Sequence, residues 1–109
     1  MKDLILKEEC LEMELHERRV PFTAKPKLPL SYKGRPLKSS YEPDLLCYGK
    51  LVVELKAVSA LCDEHRAQVL NYLHAGPFPL GLLVNFGHHP KVEYERLALT
   101  SLRSLPPEL

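Results

Sequence analysis

The segment from Asp44 to Val58 contains two short apolar runs on either side of Gly49, and it restricts the fold of this chain more than any other feature. Runs of this length that are rich in Leu and Val predict two strands joined by a tight turn, which is a β-hairpin. Residues equally far from Gly49 then face each other. This register places Asp44 opposite Glu54.

Two carboxylates placed in this way need a cation or a proton between them. Like charges on directly opposed strand residues are destabilising, and a divalent metal ion is the simplest solution. Ligands that are all oxygen favour Mg²⁺ or Mn²⁺ over zinc. The alternative is an Asp44 and a Glu54 that are simply exposed on a solvated strand face. A one-residue shift of the turn would favour that alternative, because it would place Asp44 opposite Leu55.

Lys56 is the third charged residue of this segment. Side chains two residues apart on a strand point to the same face, so Lys56 and Glu54 share a face of an otherwise apolar strand. An amine beside a metal site could hold an attacking water or stabilise negative charge that develops on a phosphate. The three residues together therefore indicate phosphate chemistry.

The rest of the chain predicts an α/β fold in which a mixed β-sheet is flanked by helices, in the order αβββαββ. Helices are predicted over 2–19 and 63–75, strands over 22–32, 44–48, 51–58, 80–86 and 91–99, and turns over 33–36 and 87–90. Asp63 is a candidate N-cap of the second helix, and Gly76 suits its C-cap. Residues 1–100 are expected to form a single domain, and residues 101–109 a C-terminal tail.

Basic residues are concentrated in one part of the chain. The net charge is only +1, yet residues 18–41 contain seven basic residues and no acidic residue. Such a block is typical of a phosphate-binding face, and Lys33, Arg35 and Lys38 are its candidate nucleic-acid contacts. The alternative is a strand edge that lysines protect from pairing with other chains.

Several classes of protein are excluded or disfavoured. No apolar run approaches the length of a transmembrane helix, and residues 1–19 are too acidic for a signal peptide. The three cysteines form no Cys-x-x-Cys motif, which argues against a zinc knuckle and a disulfide framework. The sequence therefore predicts a cytoplasmic protein without a membrane segment.

The predicted second helix has a polar face. His65, Gln68 and Tyr72 lie at spacings that bring them to one side of a helix. Because this helix follows the strand that contains Glu54 and Lys56, its polar face could line the same site. A helix with one solvated side is the alternative.

Together these segments resemble the PD-(D/E)XK nucleases. Pro43-Asp44, followed after nine residues by Glu54-x-Lys56, fits the motif that names them, and Gln68-x-x-x-Tyr72 resembles the QxxxY element of one branch. More closely, residues 8–99 resemble the bacterial GxxExxY protein family. The blocks that carry this resemblance are SYKGRPLKSSYEPDLLCYGKLVVELKAV, HRAQVLNYLHA and GLLVNFG.

The resemblance implies a restriction-endonuclease-like core and a nuclease that hydrolyses phosphodiester bonds of DNA with Mg²⁺ or Mn²⁺. Asp44 and Glu54 would bind the metal together with the Leu55 carbonyl, and Lys56 would orient the attacking water. Gln68 and Tyr72 would support the site or contact the substrate. A chain this short has little surface for reading sequence, so a homodimer or a partner protein would supply substrate choice.

The first helix departs from the pattern of the GxxExxY family. Alignment places the Gly, Glu and Tyr of the family motif on Met1, Leu4 and Lys7, and none of the three matches. Either the start of this helix is missing from the chain, or the site has lost its first-helix carboxylate. The second case predicts the alternative function, a catalytically inactive module that binds nucleic acid or protein on the same fold.

Overall fold

Seven strands and two helices follow one another in the computed structural model, which describes residues 2–76 and 78–98. They are α1 (Lys2–Glu17), β1 (Phe22–Ala24), β2 (Leu28–Tyr32), β3 (Arg35–Tyr41), β4 (Leu45–Cys47), β5 (Leu51–Lys56), α2 (Asp63–Ala75), β6 (Leu80–Asn85) and β7 (Glu93–Ala98). The predicted α/β class, with a mixed sheet flanked by helices, is confirmed.

Five strands lie between the two helices where three were predicted. The predicted strand 22–32 is divided into β1 and β2, and the predicted turn at 33–36 is shorter, because β3 already begins at Arg35. Every side chain of β3 except that of Tyr41 is exposed. The strand therefore lacks the apolar alternation by which a half-buried strand is recognised.

The main sheet contains five strands in the order β1-β4-β5-β6-β7, and β2 and β3 form a separate two-stranded sheet. Strands β5 and β6 are parallel, and the other neighbours in the main sheet are antiparallel. A parallel pair needs a long crossover connection, and α2 provides it.

The β4–β5 hairpin has the register that was predicted from Gly49. Leu45 pairs with Val53, and Cys47 pairs with Leu51. Tyr48 and Gly49 both have positive φ angles, of 56° and 67°, as in the type I′ turns that suit a hairpin's twist. A hydrogen bond of 3.0 Å from the Lys50 N–H to the Cys47 carbonyl closes the turn.

The main sheet is covered on both faces. On one face, α1 contributes Leu4, Leu11 and Leu15 to an apolar cluster. The buried members of this cluster on the sheet are Leu45, Cys47, Val53 and Leu55. On the other face, α2 and the β2–β3 sheet pack over Val52 and Leu83. Because side chains alternate along β5, Glu54 and Lys56 point to the Val52 face, on which α2 lies.

Helix α2 has the predicted bounds. It begins at Asp63, so its N-cap is Cys62 and not Asp63 as predicted, and Gly76 follows as the C-cap. The predicted tail, residues 101–109, lies outside the described residues. Within the described part of the chain, no helix is long and apolar enough to cross a membrane.

Candidate active site

The side-chain carboxylates of Asp44 and Glu54 each accept a hydrogen bond from the backbone of the opposite segment of the hairpin. The Asp44 N–H donates a hydrogen bond of 3.1 Å to Glu54 Oε1, and the Leu55 N–H donates one of 2.7 Å to Asp44 Oδ2. Asp44 follows the buried Pro43 and directly precedes β4, so its carboxylate lies at the end of the hairpin. The structure thus brings together the two carboxylates that the hairpin register predicted to face each other.

The environment of Glu54 disfavours its charged form. Burial is the largest cause, the nearby Asp44 charge is the second, and together they raise the pKa of Glu54 to about 7. The hydrogen bond from the Asp44 backbone opposes this shift but does not cancel it. A carboxylate with a strongly raised pKa beside a second carboxylate is a common sign of a functional site.

Tyr41 borders this pair of carboxylates. It is only 4% exposed, and its ring stacks on Tyr72 of α2 with 3.9 Å between the ring centroids and 3° between the ring planes. Burial, followed by the charge of Glu54, raises the pKa of Tyr41 far above its ordinary value. Tyr72 is therefore connected to the carboxylates through Tyr41.

Leu55 and Lys56 complete the strand side of the site. In a strand, the N–H and the carbonyl of one residue point to the same side. Because the Leu55 N–H bonds to Asp44, the Leu55 carbonyl also points toward Asp44, just before the first residue of β4. The side chain of Lys56 lies on the same face as that of Glu54 and is partly buried. Among residues 2–76 and 78–98, no group of three or more His, Cys, Asp or Glu side chains is close enough to hold a metal ion.

The backbone that follows Lys56 is held by Asn85, which is fully buried. Asn85 Oδ1 accepts a hydrogen bond of 2.9 Å from the Val58 N–H, and its Nδ2 donates one of 2.8 Å to the Val58 carbonyl. Nδ2 also donates to Glu93, at 3.1 Å. These bonds fix the start of the β5–α2 connection beside Lys56, which is paired with Asn85 in the parallel ladder.

The other predicted site residues are exposed. Gln68 lies one turn before Tyr72 on α2, and its side chain is open to solvent. Lys33, Arg35 and Lys38 are exposed on the β2–β3 hairpin, where the Lys33 ammonium lies 5.4 Å from the centre of the Tyr32 ring. The hairpin and α2 cover the same face of the main sheet, toward which Glu54 and Lys56 point.

The first helix contacts Lys25, a neighbour of Asp44, through Glu8, which is not the position that the family alignment indicates. Leu4, aligned with the Glu of the family motif, packs in the apolar cluster under α1. One turn later, Glu8 Oε1 accepts a hydrogen bond of 3.2 Å from Lys25 Nζ. The Lys25 N–H donates to the Asp44 carbonyl at 3.1 Å, and Asp44 helps to raise the pKa of Lys25, after the larger effect of Glu8.

Sequence reasoning did not identify Tyr41 and Lys25 as neighbours of the site. Tyr41 lies three residues before Asp44 in the sequence, which was a usable signal, but its burial depends on stacking against the distant α2. Lys25 was counted only as part of the basic block. Its contact with Glu8 joins residues 17 positions apart, which no local pattern indicates.

The chain belongs to the PD-(D/E)XK nuclease superfamily, whose sequence profile matches residues 6–97. Nucleases of this superfamily generally use divalent metal ions. Among curated protein sequences, none matches the chain significantly.

Two solved structures have a similar fold. The crystal structure of SSO0001 is 16% identical, with a TM-score of 0.66, and the match covers 85% of this chain and 48% of that one. An alkaline exonuclease from Laribacter hongkongensis is 11% identical, with a TM-score of 0.62 and coverage of 92% and 58%. The chain thus spans about half the length of these proteins. At such identities the likeness concerns the fold alone.

Proposed function

We propose that this protein is a metal-dependent nuclease that hydrolyses phosphodiester bonds of DNA, and that it belongs to the GxxExxY branch of the superfamily. The observation that carries the proposal is the contact between Asp44 and Glu54 at the end of the β4–β5 hairpin. Structural need alone does not account for two adjacent carboxylates, one of them largely buried.

The residues present fit a hard divalent cation. The available donors at the end of the hairpin are the carboxylate oxygens of Asp44 and Glu54 and the carbonyl of Leu55, and oxygen ligands suit Mg²⁺ or Mn²⁺. Burial first, and the charge of Asp44 second, raise the pKa of Glu54, so a positive charge beside it would be favourable. A bound cation would neutralise both carboxylates and polarise a phosphate oxygen.

The other residues then have distinct roles. Lys56 orients the attacking water and stabilises the negative charge that develops on the phosphate, since it shares the face of Glu54. Tyr72 supports the site through its contact with Tyr41. Gln68, which is exposed one turn away, contacts the substrate.

The exposed basic hairpin supports DNA as the substrate. Lys33, Arg35 and Lys38 lie in the β2–β3 sheet, which packs over the same face of the main sheet as α2. A backbone bound along this hairpin would run beside the carboxylates. Phosphate contacts of this kind provide affinity without sequence preference.

Replacing Lys33, Arg35 and Lys38 together with alanine should weaken DNA binding and flatten its salt dependence. Each lost phosphate contact reduces the slope of log affinity against log salt by about 0.9. Fluorescence anisotropy with a labelled duplex over a series of salt concentrations measures this slope.

The matched control replaces the exposed Lys50, Lys91 and Arg96 with alanine, which removes the same charge elsewhere. An equal change of slope in both triple variants would reflect net charge alone. An unchanged slope in the hairpin variant would favour the role of these lysines in protecting a strand edge.

A catalytically inactive binding module is the second candidate function. It is favoured by Leu4 and Lys7 of the first helix, which stand where the family motif has Glu and Tyr. It is also favoured by the absence, among the described residues, of a third carboxylate close enough to complete a metal site. Such a module would bind DNA or protein through the same basic hairpin.

Three further proposals concern the molecule as a whole. Residues 1–100 form one nuclease-like domain, and residues 101–109 are a tail. A homodimer or a partner protein supplies additional substrate-binding surface beside this domain. The protein acts in the reducing cytoplasm, which suits its free cysteines, Cys10, Cys47 and Cys62.

The proposed function is tested by cleavage of plasmid, linear duplex and single-stranded DNA in the presence of Mn²⁺. We expect wild-type protein to cut at least one of these, and Asp44→Asn to remove the activity because it removes a metal ligand. Asp63→Asn, which makes the same change at an exposed position, is the matched control. Wild-type protein that binds DNA but cuts none of the three forms would support the inactive module instead.

A further inference from the structure

The hydroxyl group of Tyr41 is a buried donor without a hydrogen-bond partner. Among the described residues, it is the one buried side-chain nitrogen or oxygen atom that has no hydrogen-bond partner. Leaving such a group unpaired costs folding free energy, and a native structure that retains one often uses it at a functional site. The position of Tyr41 suggests what that use is.

Tyr41 lies beside the carboxylate pair, and stacking fixes the position of its ring. It ends β3, three residues before Asp44, and its ring is stacked almost parallel to that of Tyr72. Its hydroxyl is close enough to Glu54 for the two groups to alter each other's pKa, although no hydrogen bond of good geometry joins them. The ordinary pKa of a phenol is about 10, so the hydroxyl keeps its proton and remains a donor at neutral pH.

The Glu54 carboxylate can accept a further hydrogen bond from this hydroxyl. Among the described residues, its carboxylate accepts one hydrogen bond, from the Asp44 N–H to Oε1. A carboxylate that binds a metal ion is usually also held by a hydrogen bond from a neighbouring group, which fixes its orientation. Tyr41 has the only buried hydroxyl beside Glu54 that is still unpaired in the described structure.

We propose that Tyr41 is a positioning residue, which donates its hydroxyl hydrogen bond to Glu54 when a divalent cation binds to Asp44 and Glu54. This inference rests on the proposed metal site. A bound cation would fix the orientation of the Glu54 carboxylate. The Tyr41 hydroxyl, which has no partner among the described residues, would then have an acceptor held in place beside it.

The test compares Tyr41→Phe with wild-type protein in two measurements. Titration calorimetry should show Mn²⁺ binding weakened by about tenfold or more, the usual effect of removing a group that orients a metal ligand. Thermal unfolding without metal should show a melting temperature equal to that of the wild type or higher, because the variant removes an unpaired buried hydroxyl and keeps the stacked ring.

The opposite signs of these two effects separate positioning from a structural role. A hydroxyl that served only the fold would lower the melting temperature of metal-free Tyr41→Phe and leave Mn²⁺ affinity unchanged. In cleavage assays, the positioning role raises the Mn²⁺ concentration needed for half-maximal rate and largely preserves the rate at saturating Mn²⁺. Tyr94→Phe, at a side chain that is 72% exposed, is the matched control.

Glu54→Gln distinguishes failure of this inference from failure of the metal site. If Glu54→Gln weakens Mn²⁺ binding and Tyr41→Phe does not, the site stands and the role of Tyr41 is overturned. If wild-type protein and Glu54→Gln bind Mn²⁺ equally, the metal site itself is wrong, and the role of Tyr41 falls with it.

Discussion

Lys56→Ala should lower the rate of Mn²⁺-dependent DNA cleavage by about two to three orders of magnitude, the usual cost of removing one group that stabilises transition-state charge. The amine lies on the face of Glu54, where, in the proposed mechanism, negative charge develops on the phosphate as the water attacks. Because this interaction strengthens in the transition state, its loss should reduce the rate far more than substrate binding. Initial rates at saturating Mn²⁺ and DNA measure the effect.

Lys50→Ala is the control for this substitution. Lys50 lies in the turn of the same hairpin, is exposed, and is at the end opposite to Asp44. Mn²⁺ affinity and melting temperature should be similar in the wild type and both variants. Cleavage that survives in Lys56→Ala would mean that other residues perform the chemistry.

Glu54→Gln should stabilise the metal-free protein above neutral pH. Glu54 has an ordinary pKa of 4.5 and a folded-state pKa of about 7. Between these values the folded protein retains a proton that the unfolded chain has released, so the free energy of unfolding falls as pH rises. Because glutamine has no carboxyl group to ionise, the variant does not lose this part of its free energy of unfolding as the pH rises. At pH 8 we expect a gain of up to about 3 kcal/mol in the metal-free variant.

Addition of Mn²⁺ should reverse this order. The cation stabilises the wild-type protein at pH 8 because it binds the folded state, whereas Glu54→Gln lacks one of the two carboxylates and gains little. Chemical denaturation from pH 4 to 8, with and without Mn²⁺, measures both effects. Glu64→Gln, at an exposed position of α2, is the control. Identical pH profiles for the wild type and Glu54→Gln would refute the role of Glu54.

The central part of the fold and site was predictable because its determinants are local. A glycine with positive φ at position 49 sets the turn, the turn sets the register, and the register brings Asp44 to Glu54. The bounds of α2 were also predictable, since an apolar pattern and a C-cap glycine define them. Each of these features depends on residues within about a dozen positions of one another.

The parts that were not predicted depend on distant contacts. Strand β3 contains a proline, and most of its side chains are exposed. It is therefore a strand because it pairs with β2, and its own sequence lacks an alternation of apolar and polar residues. The stacking of Tyr41 on Tyr72 joins two elements that lie on opposite sides of β5 in the sequence. Glu8 shows the same limit, because helical spacing alone does not reveal that it pairs with Lys25, which lies 17 positions away.

The locality of the Asp44–Glu54 contact also bears on the order in which the chain folds. Contacts between residues close in sequence form early, because they close short loops, whereas the parallel pairing of β5 with β6 must wait for α2 to cross over. The repulsion between the two carboxylates therefore acts within a hairpin that is expected to form early. At neutral pH without a cation, the proposed catalytic pair opposes one of the first steps of folding, and acid or a divalent ion relieves that opposition.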